Sequence, residues 1–319
     1  MKLVIAFLRL IRWPNLVFIV LTQLLFFYCI IDTKLVNPVE TSFGILAFMC
    51  LIVATVLIAA AGYIINDYFD LNIDAVNKPN RLIIDKVIKR RWAIVMHILL
   101  SGAGVLLSFY IGSVHRYYWL GISNLLCVFL LFGYSITLKR KLLIGNILIS
   151  ALTAWVILVV FFCFKDSFLP AYIYDGVDHT DYVRLNNSIT RLAFLYAGFA
   201  FIISLIREVT KDMEDMEGDG KYGCKTMPIV WGVPATKVFV AVWIIVLTGV
   251  LGTVQFYVLQ FGWWWSAVYC VVLIIAPLLW ILYKLYKAQV PKDYRLLSAA
   301  VKFVMFTGIM SMLFFKIYS

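Results

Sequence analysis

The chain has 319 residues, of which 64% are hydrophobic and only 14% are charged. A soluble fold of this length has too little interior to bury so much apolar surface, so the composition excludes an ordinary soluble protein and indicates a chain embedded in a lipid bilayer. The net charge of +11 would suit a nucleic acid, a membrane surface or an anionic substrate. Nucleic acid is not expected as a partner, because no soluble basic domain is present to hold it.

Nine apolar stretches approach the length of about 20 residues that a membrane-spanning helix needs. They follow an amphipathic lead-in over residues 1–13 and lie at about 15–32, 43–65, 92–112, 117–135, 143–164, 190–206, 235–259, 261–283 and 298–317. The sequence therefore predicts an all-α polytopic membrane protein with nine transmembrane helices, forming a single domain over residues 1–319. Pro277 lies within the eighth stretch and is tolerable there if a neighbour satisfies the freed carbonyl.

Lysine and arginine residues are concentrated in every second loop. With the N-terminus in the cytoplasm, 22 of the 28 fall on the cytoplasmic side of the predicted helices. Since cytoplasmic loops carry an excess of Lys and Arg, we expect residues 66–91, 136–142 and 207–234 to face the cytoplasm and residues 165–189 to face outward. The predicted location is the cell (inner) membrane.

Two acidic clusters follow predicted helices and share one spacing. The first, NDYFDLNID, ends the second helix and contains Asp67, Asp70 and Asp74. The second, KDMEDMEGD, ends the sixth helix and contains Asp212, Asp215 and Asp219. On a helix, residues at i, i+3 and i+7 lie on one face, so each cluster is predicted to present three carboxylates together.

Three carboxylates on one face repel one another unless a cation lies between them. Oxygen ligands favour hard cations, and Mg²⁺ typically uses one or two carboxylates together with substrate phosphate. A lone cluster of this kind would be interpreted as a solvated helix end. Two clusters with identical spacing, both near membrane depth, instead indicate a functional site for Mg²⁺ and a diphosphate.

The two clusters also resemble the signatures of a known family. NDYFDLNIDAVNKPNR is similar to the NDxxDxxxD signature of the UbiA superfamily of intramembrane prenyltransferases, and KDMEDMEGDGKYGCKTMPIVWG is similar to its second signature, DxxDxxxD. The order of the motifs and the predicted helix number match as well. The resemblance implies helices around a central cavity, with both motifs at its cytoplasmic mouth.

The resemblance implies roles for particular residues. Mg²⁺ would be held by Asp67, Asp70, Asp74, Asp212, Asp215 and Asp219. The catalytic residues would be Asn66, Asp67, Asp70, Tyr134 and Lys139, the last two lying in YSITLKRK. The diphosphate would meet Lys78, Arg81, Lys139, Arg207 and Lys211. Many members continue the first motif as NRPxRP, whereas this chain has Lys78 and Leu82 at the first Arg and the second Pro.

The expected function is Mg²⁺-dependent transfer of a prenyl group from its diphosphate to a lipid-soluble acceptor. The second motif and the YSITLKR stretch most resemble members that prenylate the hydroxyl of a geranylgeranylglyceryl phosphate. An aromatic acceptor in quinone, haem or chlorophyll-type biosynthesis is the alternative within the family. A cation-coupled secondary transporter and a non-catalytic scaffold are the alternatives from other classes. Beyond substrates and the bilayer, no protein partner is predicted.

Overall fold

The computed structural model describes residues 2–34, 43–77, 79, 82–165 and 179–318, without the side chains of residues 2, 34 and 179–185. In this part of the chain the secondary structure is helical, with only an isolated bridge between Ile84 and Ile88. A short helix over Lys2–Leu10 occupies the predicted lead-in. Its exposed apolar side chains suit a position at the membrane surface.

Nine helices in the described residues are long and apolar enough to cross a membrane, which confirms the all-α fold class and the predicted number. They are α1 (Trp13–Ile31), α2 (Ile45–Phe69), α3 (Arg90–Val114), α4 (Tyr118–Ile136), α5 (Ile144–Phe164), α6 (Asn186–Glu214), α7 (Gly232–Leu259), α8 (Trp264–Lys287) and α9 (Pro291–Ile317).

Several helices extend beyond the predicted apolar stretches. The sixth stretch was expected to end at residue 206, whereas α6 continues to Glu214, and α9 begins at Pro291 and not at residue 298. Hydropathy marks only the part of a helix that lies in hydrocarbon, while backbone hydrogen bonding continues past it. Asp212 therefore belongs to α6 itself.

The chain divides into two compact units, each described by itself. The first comprises Met1–Leu138 and Trp155–Phe194, and the second comprises Lys139–Ala154 and Leu195–Ser319. In the first unit α2 packs closely on α3, where a Cβ atom added to Gly104 would lie 3.0 Å from the backbone oxygen of Ala54. Small residues of this kind let membrane helices approach each other. The single domain stays a prediction.

In the second unit α6 packs with α7, α8 and α9 around one apolar core that includes Ile206, Ile244, Leu278 and Val301. Pro277 cannot donate to the carbonyl of Leu273, and the Thr307 hydroxyl on α9 donates to that carbonyl at 2.9 Å. A neighbouring helix thus satisfies the freed carbonyl, as predicted.

Two buried polar side chains within the spans of the first unit are paired across helices. Nδ1 of His97 is 3.0 Å from the carbonyl oxygen of Ala61 in the buried interior. Asn124 donates to the hydroxyl of Ser108 at 2.7 Å. A polar group in hydrocarbon costs free energy unless it is hydrogen-bonded, which explains why these residues face other helices.

Candidate active site

The first acidic cluster lies where α2 ends. Asp70, with φ −88° and ψ −1°, separates α2 from a short helix over Leu71–Asn77. Helical hydrogen bonding nevertheless continues, because the N–H of Asp70 donates to the carbonyl of Asn66 at 3.0 Å and the N–H of Asp74 donates to that of Asp70 at 2.8 Å. The Asn66 amide also donates to Oδ2 of Asp70 at 2.9 Å.

The second cluster repeats this backbone arrangement in the other unit. Asp215, with φ −98° and ψ 7°, separates Glu214 from a short helix over Met216–Lys221. Its N–H donates to the carbonyl of Lys211 at 2.9 Å, and the N–H of Asp219 donates to the carbonyl of Asp215 at 3.2 Å. The middle aspartate of each motif therefore lies in the sparsely populated bridge region, where many active-site residues are found.

Arg12 is a site residue that the sequence analysis counted only as a cytoplasmic charge. Its guanidinium donates to Oδ1 of Asp67 at 2.6 Å and lies 5.1 Å from the ring centre of Tyr63. The negative charge of Asp67 raises the pKa of the guanidinium, an effect that burial opposes. Arg12 has φ 52°, a left-handed conformation that costs free energy in a non-glycine residue.

Asn146 supports the second cluster. This buried residue, near the start of α5, donates from Nδ2 to Oδ2 of Asp212 at 2.8 Å. The loop before α5 is joined to the loop after the cluster, because the N–H of Lys225 donates to the carbonyl of Arg140 at 2.8 Å. Leu143, the last residue of the loop before α5, has a φ of 59°, which lies in the left-handed region.

A half-buried ion cluster lies on α6 just before Asp212. Oε1 of Glu208 accepts from the Arg207 guanidinium at 2.7 Å, and Oε2 accepts from Lys211 Nζ at 3.1 Å. The Glu208 side chain is only 12% exposed. Both cations were predicted site residues, whereas the carboxylate that joins them was not.

The other predicted residues are distributed as follows. Lys78 and Arg81 lie outside the described residues. Tyr134 lies in the last turn of α4 in the first unit, and Lys139 lies in a turn over Leu138–Arg140 at the start of the second. Both side chains are half-buried.

The donor chemistry of the clusters fits Mg²⁺. Neither unit, over its described residues, brings together three or more His, Cys, Asp or Glu side chains that could hold a metal ion alone. Mg²⁺ does not need such a cage, because it keeps several waters and takes one or two carboxylates plus substrate phosphate. Each cluster supplies the carboxylate oxygens that such a site needs. The six cysteines are all free, so none forms a disulfide.

Residues 25–308 match the model of the UbiA prenyltransferase family. The chain belongs to this family. It is therefore an integral membrane protein and a prenyltransferase, as the sequence predicted, and the transporter and scaffold alternatives are not favoured.

Individual relatives of this UbiA-family chain agree with that assignment. The digeranylgeranylglyceryl phosphate synthase of Methanosphaera stadtmanae is 30% identical over 237 residues, which cover 74% of each chain. The synthase of the same name from Methanothermobacter thermautotrophicus is 32% identical over 231 residues, covering 72% of this chain and 70% of the relative.

Solved structures share the fold of this UbiA-family prenyltransferase. A structure described as digeranylgeranylglyceryl phosphate synthase in membranes has a TM-score of 0.61 at 22% identity, covering 98% of this chain and 99% of the other. A UbiA homologue from Archaeoglobus fulgidus bound to GPP and Mg²⁺ has a TM-score of 0.58 at 14% identity, covering 97% of this chain and 99% of the other.

Proposed function

We propose that this prenyltransferase moves a geranylgeranyl group from its diphosphate to the hydroxyl of a prenylglyceryl phosphate, with Mg²⁺ as cofactor. The observation that carries the proposal is the repeated local geometry of the two acidic motifs. In each, a long helix ends immediately before the middle aspartate, which lies in the bridge region, and a short helix follows. Helix ends that were merely solvated would not require the same arrangement of long helix, bridge-region aspartate and short helix in both motifs.

The metal and the diphosphate are assigned to the two clusters acting together. Four spans, α3 to α6, lie between the motifs along the chain. If each of these spans crosses the bilayer once, both motifs would lie on one side of the membrane, and the excess of Lys and Arg favours the cytoplasmic side. The six aspartates would hold Mg²⁺. The diphosphate charge would be met by Lys78, Arg81, Lys139, Arg207 and Lys211.

The reaction breaks the allylic C–O bond to the diphosphate and forms a bond between that carbon and the acceptor oxygen, with release of the hydroxyl proton. Mg²⁺, when bound, stabilises the charge that develops on the departing diphosphate. In this chain, Asn66 orients Asp70 and Asn146 orients Asp212 through their amide hydrogen bonds. The Tyr63 and Tyr134 rings are candidates to stabilise the cationic carbon, and the apolar helices exclude water from it.

The acceptor is assigned from the relatives. The curated relatives described above are named digeranylgeranylglyceryl phosphate synthases, and the present chain covers more than two thirds of each. A phosphate-bearing acceptor brings a further anion to a region already rich in cations. An aromatic acceptor remains the alternative within the family.

Product analysis tests the proposal. Purified protein is incubated with Mg²⁺, labelled geranylgeranyl diphosphate and an acceptor panel comprising geranylgeranylglyceryl phosphate, hydroxybenzoate and hydroxynaphthoate. We expect an acid-stable ether phospholipid, identified by mass spectrometry. Exclusive prenylation of an aromatic ring would overturn the proposed acceptor and leave the family assignment intact.

A further inference from the structure

The lead-in helix, which ends at Leu10, has apolar side chains on two opposite sides. One side is buried in the protein and includes Ala6 and Leu10. At about 100° per residue, Val4, Ile5 and Leu8 lie together on the other side, and each of the three is at least 40% exposed. A surface helix needs only one apolar side to pack on its own protein, so the second apolar side is available to another apolar partner.

A tight turn between the first motif and α3 also exposes an apolar side chain. Ile84 and Ile88 are buried, whereas Val87 is 51% exposed. The turn is closed by the N–H of Asp85, which donates to the carbonyl of Ile88 at 2.9 Å. The two buried isoleucines and this hydrogen bond hold the turn in place, so Val87 forms a fixed apolar tip beside the exposed Lys86.

The lead-in helix and the turn belong to one surface of the first unit. Leu10 shares a buried apolar cluster with Ile84 and Ile88, which joins the two elements. Trp13 at the start of α1 and Trp92 near the start of α3 are both more than 50% exposed. Tryptophan is enriched at the level of the lipid headgroups, so both helix starts indicate that level. The lead-in surface is defined here by its exposed residues, which are Val4, Ile5, Leu8, Arg9, Lys86, Val87, Lys89 and Arg91.

The segments that carry the lead-in surface have a strong excess of positive charge. Residues 2–12 and 82–92 contain seven lysines and arginines and a single acid, Asp85. Asp85 forms an ion pair with Arg90 at 2.6 Å. Even when the three aspartates of the first motif are counted as well, the cations exceed the acids by three. The lead-in surface therefore combines uncovered apolar side chains with positive charge.

We propose that the lead-in surface binds anionic phospholipids of the leaflet in which α1 and α3 begin. Amphipathic helices with basic residues lie in the membrane interface with the apolar side about 5–10 Å deep, at the boundary between headgroups and acyl chains. Lys86, Lys89 and Arg91 would meet the lipid phosphates, because basic residues beside a membrane are attracted to its anionic headgroups. A second copy of the chain is a poorer partner, because two lead-in surfaces carry the same charge and repel each other. The inference does not depend on the acceptor or on the reaction.

Two fluorescent probes test this inference in the full-length protein. Bimane is attached to Leu8→Cys or to Val87→Cys in a cysteine-free background, in nanodiscs of phosphatidylcholine and phosphatidylglycerol. A doxyl quencher near the headgroup is carried by one lipid or by the other, at the same mole fraction. Because each basic residue near an anionic leaflet strengthens binding by about fivefold, doxyl on phosphatidylglycerol should quench both probes at least about twofold more strongly than doxyl on phosphatidylcholine.

Charge variants identify the residues that select the lipid. Lys86→Gln, Lys89→Gln and Arg91→Gln, introduced together, should abolish the difference between the two quenchers at the Val87 probe. Lys86→Arg with Lys89→Arg keeps the charge and should preserve the difference, which separates a loss of charge from a folding defect. High salt should reduce the difference, because it screens exposed charges. Lys221→Gln removes an exposed cation of the second unit and is the matched control, which should change nothing.

Three results would overturn the inference. The first is equal quenching by the two lipids in the labelled protein that has no charge substitution. The second is a loss of the difference in Lys221→Gln as large as in the triple glutamine variant, which would mean that the overall charge of the protein attracts the lipid. The third is the absence of quenching at both probes, and disulfide cross-linking of Leu8→Cys between copies would then assign the surface to a second chain. None of these measurements uses prenyl transfer, so each outcome leaves the proposed function standing.

Discussion

At the scale of single residues, the aspartates are supported by side chains from distant parts of the chain. Arg12 contacts Asp67 across 55 positions, and Asn146 contacts Asp212 across 66. Partners of this kind hold an acidic side chain in one orientation before a metal arrives. Their removal commonly costs 10- to 100-fold in metal affinity or activity in characterised metal sites.

The Arg12–Asp67 pair predicts a metal-dependent stability effect. Arg12→Gln removes the cation that offsets Asp67 beside two other carboxylates, so the variant should be less stable in EDTA by up to about 1 kcal/mol. Mg²⁺ can replace the lost charge, and millimolar Mg²⁺ should restore most of the deficit. Thermal unfolding in detergent measures both. Arg9→Gln, an exposed cation on the preceding helix, should show neither effect, and a deficit independent of Mg²⁺ would mean that Arg12 is purely structural.

Asn146→Ala tests the orientation of Asp212. We expect apparent Mg²⁺ affinity to fall about 10- to 100-fold, because the carboxylate loses the amide that fixes its position. Asn124→Ala is the matched control, since Asn124 is also buried and also makes one side-chain hydrogen bond, to Ser108. Asn124→Ala should lower the free energy of unfolding without changing the Mg²⁺ dependence of prenyl transfer. Transfer rates across a Mg²⁺ titration measure that dependence for both variants. The same shift in both variants would contradict the assigned role.

The sequence predicted the motif aspartates because their spacing is local, within eight residues. Arg12 and Asn146 were missed for a physical reason, and Glu208 was missed because the repeated spacing does not include it. Arg12 and Asn146 act through contacts that only tertiary packing creates, and Arg12 is indistinguishable in sequence from a topological charge. Glu208 was detectable, because it lies one helical turn before Asp212, but it falls outside the repeated spacing.

At the scale of elements, helix contacts in the first unit depend on small residues at defined positions. A Cβ atom on Gly104 would approach Ile58 Cγ1 to 2.8 Å and the Ala54 oxygen to 3.0 Å. Gly102 lies on the same helix and has open space around its Cβ position. Alanine substitutions at the two glycines therefore separate the cost of a steric clash from the gain in helix propensity.

Gly104→Ala should lower the free energy of unfolding by about 1–3 kcal/mol, because α2 and α3 must separate slightly. Gly102→Ala should be neutral or stabilising by up to about 1 kcal/mol, since alanine favours the helix. Denaturation in mixed micelles compares the two. Equal effects would show that the close approach at Gly104 contributes nothing.

Hydropathy predicted each of the nine spanning helices that the described residues contain, and the sequence predicted that a neighbour would satisfy the carbonyl freed by Pro277. It could not identify Thr307 as the donor to the Leu273 carbonyl, because 34 positions separate the two residues. Helix ends were also misplaced where polar residues continue the helix beyond hydrocarbon, as in α6 and α9.

At the scale of the whole molecule, a shared diphosphate site requires both motifs on one side of the membrane, which we predict to be the cytoplasmic side. In a cysteine-free background, Asp175→Cys, which lies outside the described residues, should react with an impermeant maleimide in intact cells. Glu217→Cys, within the second motif, should react only after permeabilisation. The reverse pattern would invert the topology, and labelling of both in intact cells would contradict the cytoplasmic assignment of the second motif.

Mg²⁺-dependent binding of geranylgeranyl thiodiphosphate to the wild type, Asp70→Ala and Asp215→Ala tests the central claim, that the two motifs form one site. Asp85→Ala, an exposed aspartate in an ion pair with Arg90, is the control. If both motifs hold one diphosphate through Mg²⁺, either motif variant should lose binding almost completely, while keeping the melting temperature that the wild type has in EDTA. Full retention of Mg²⁺-dependent binding in either motif variant would contradict the account.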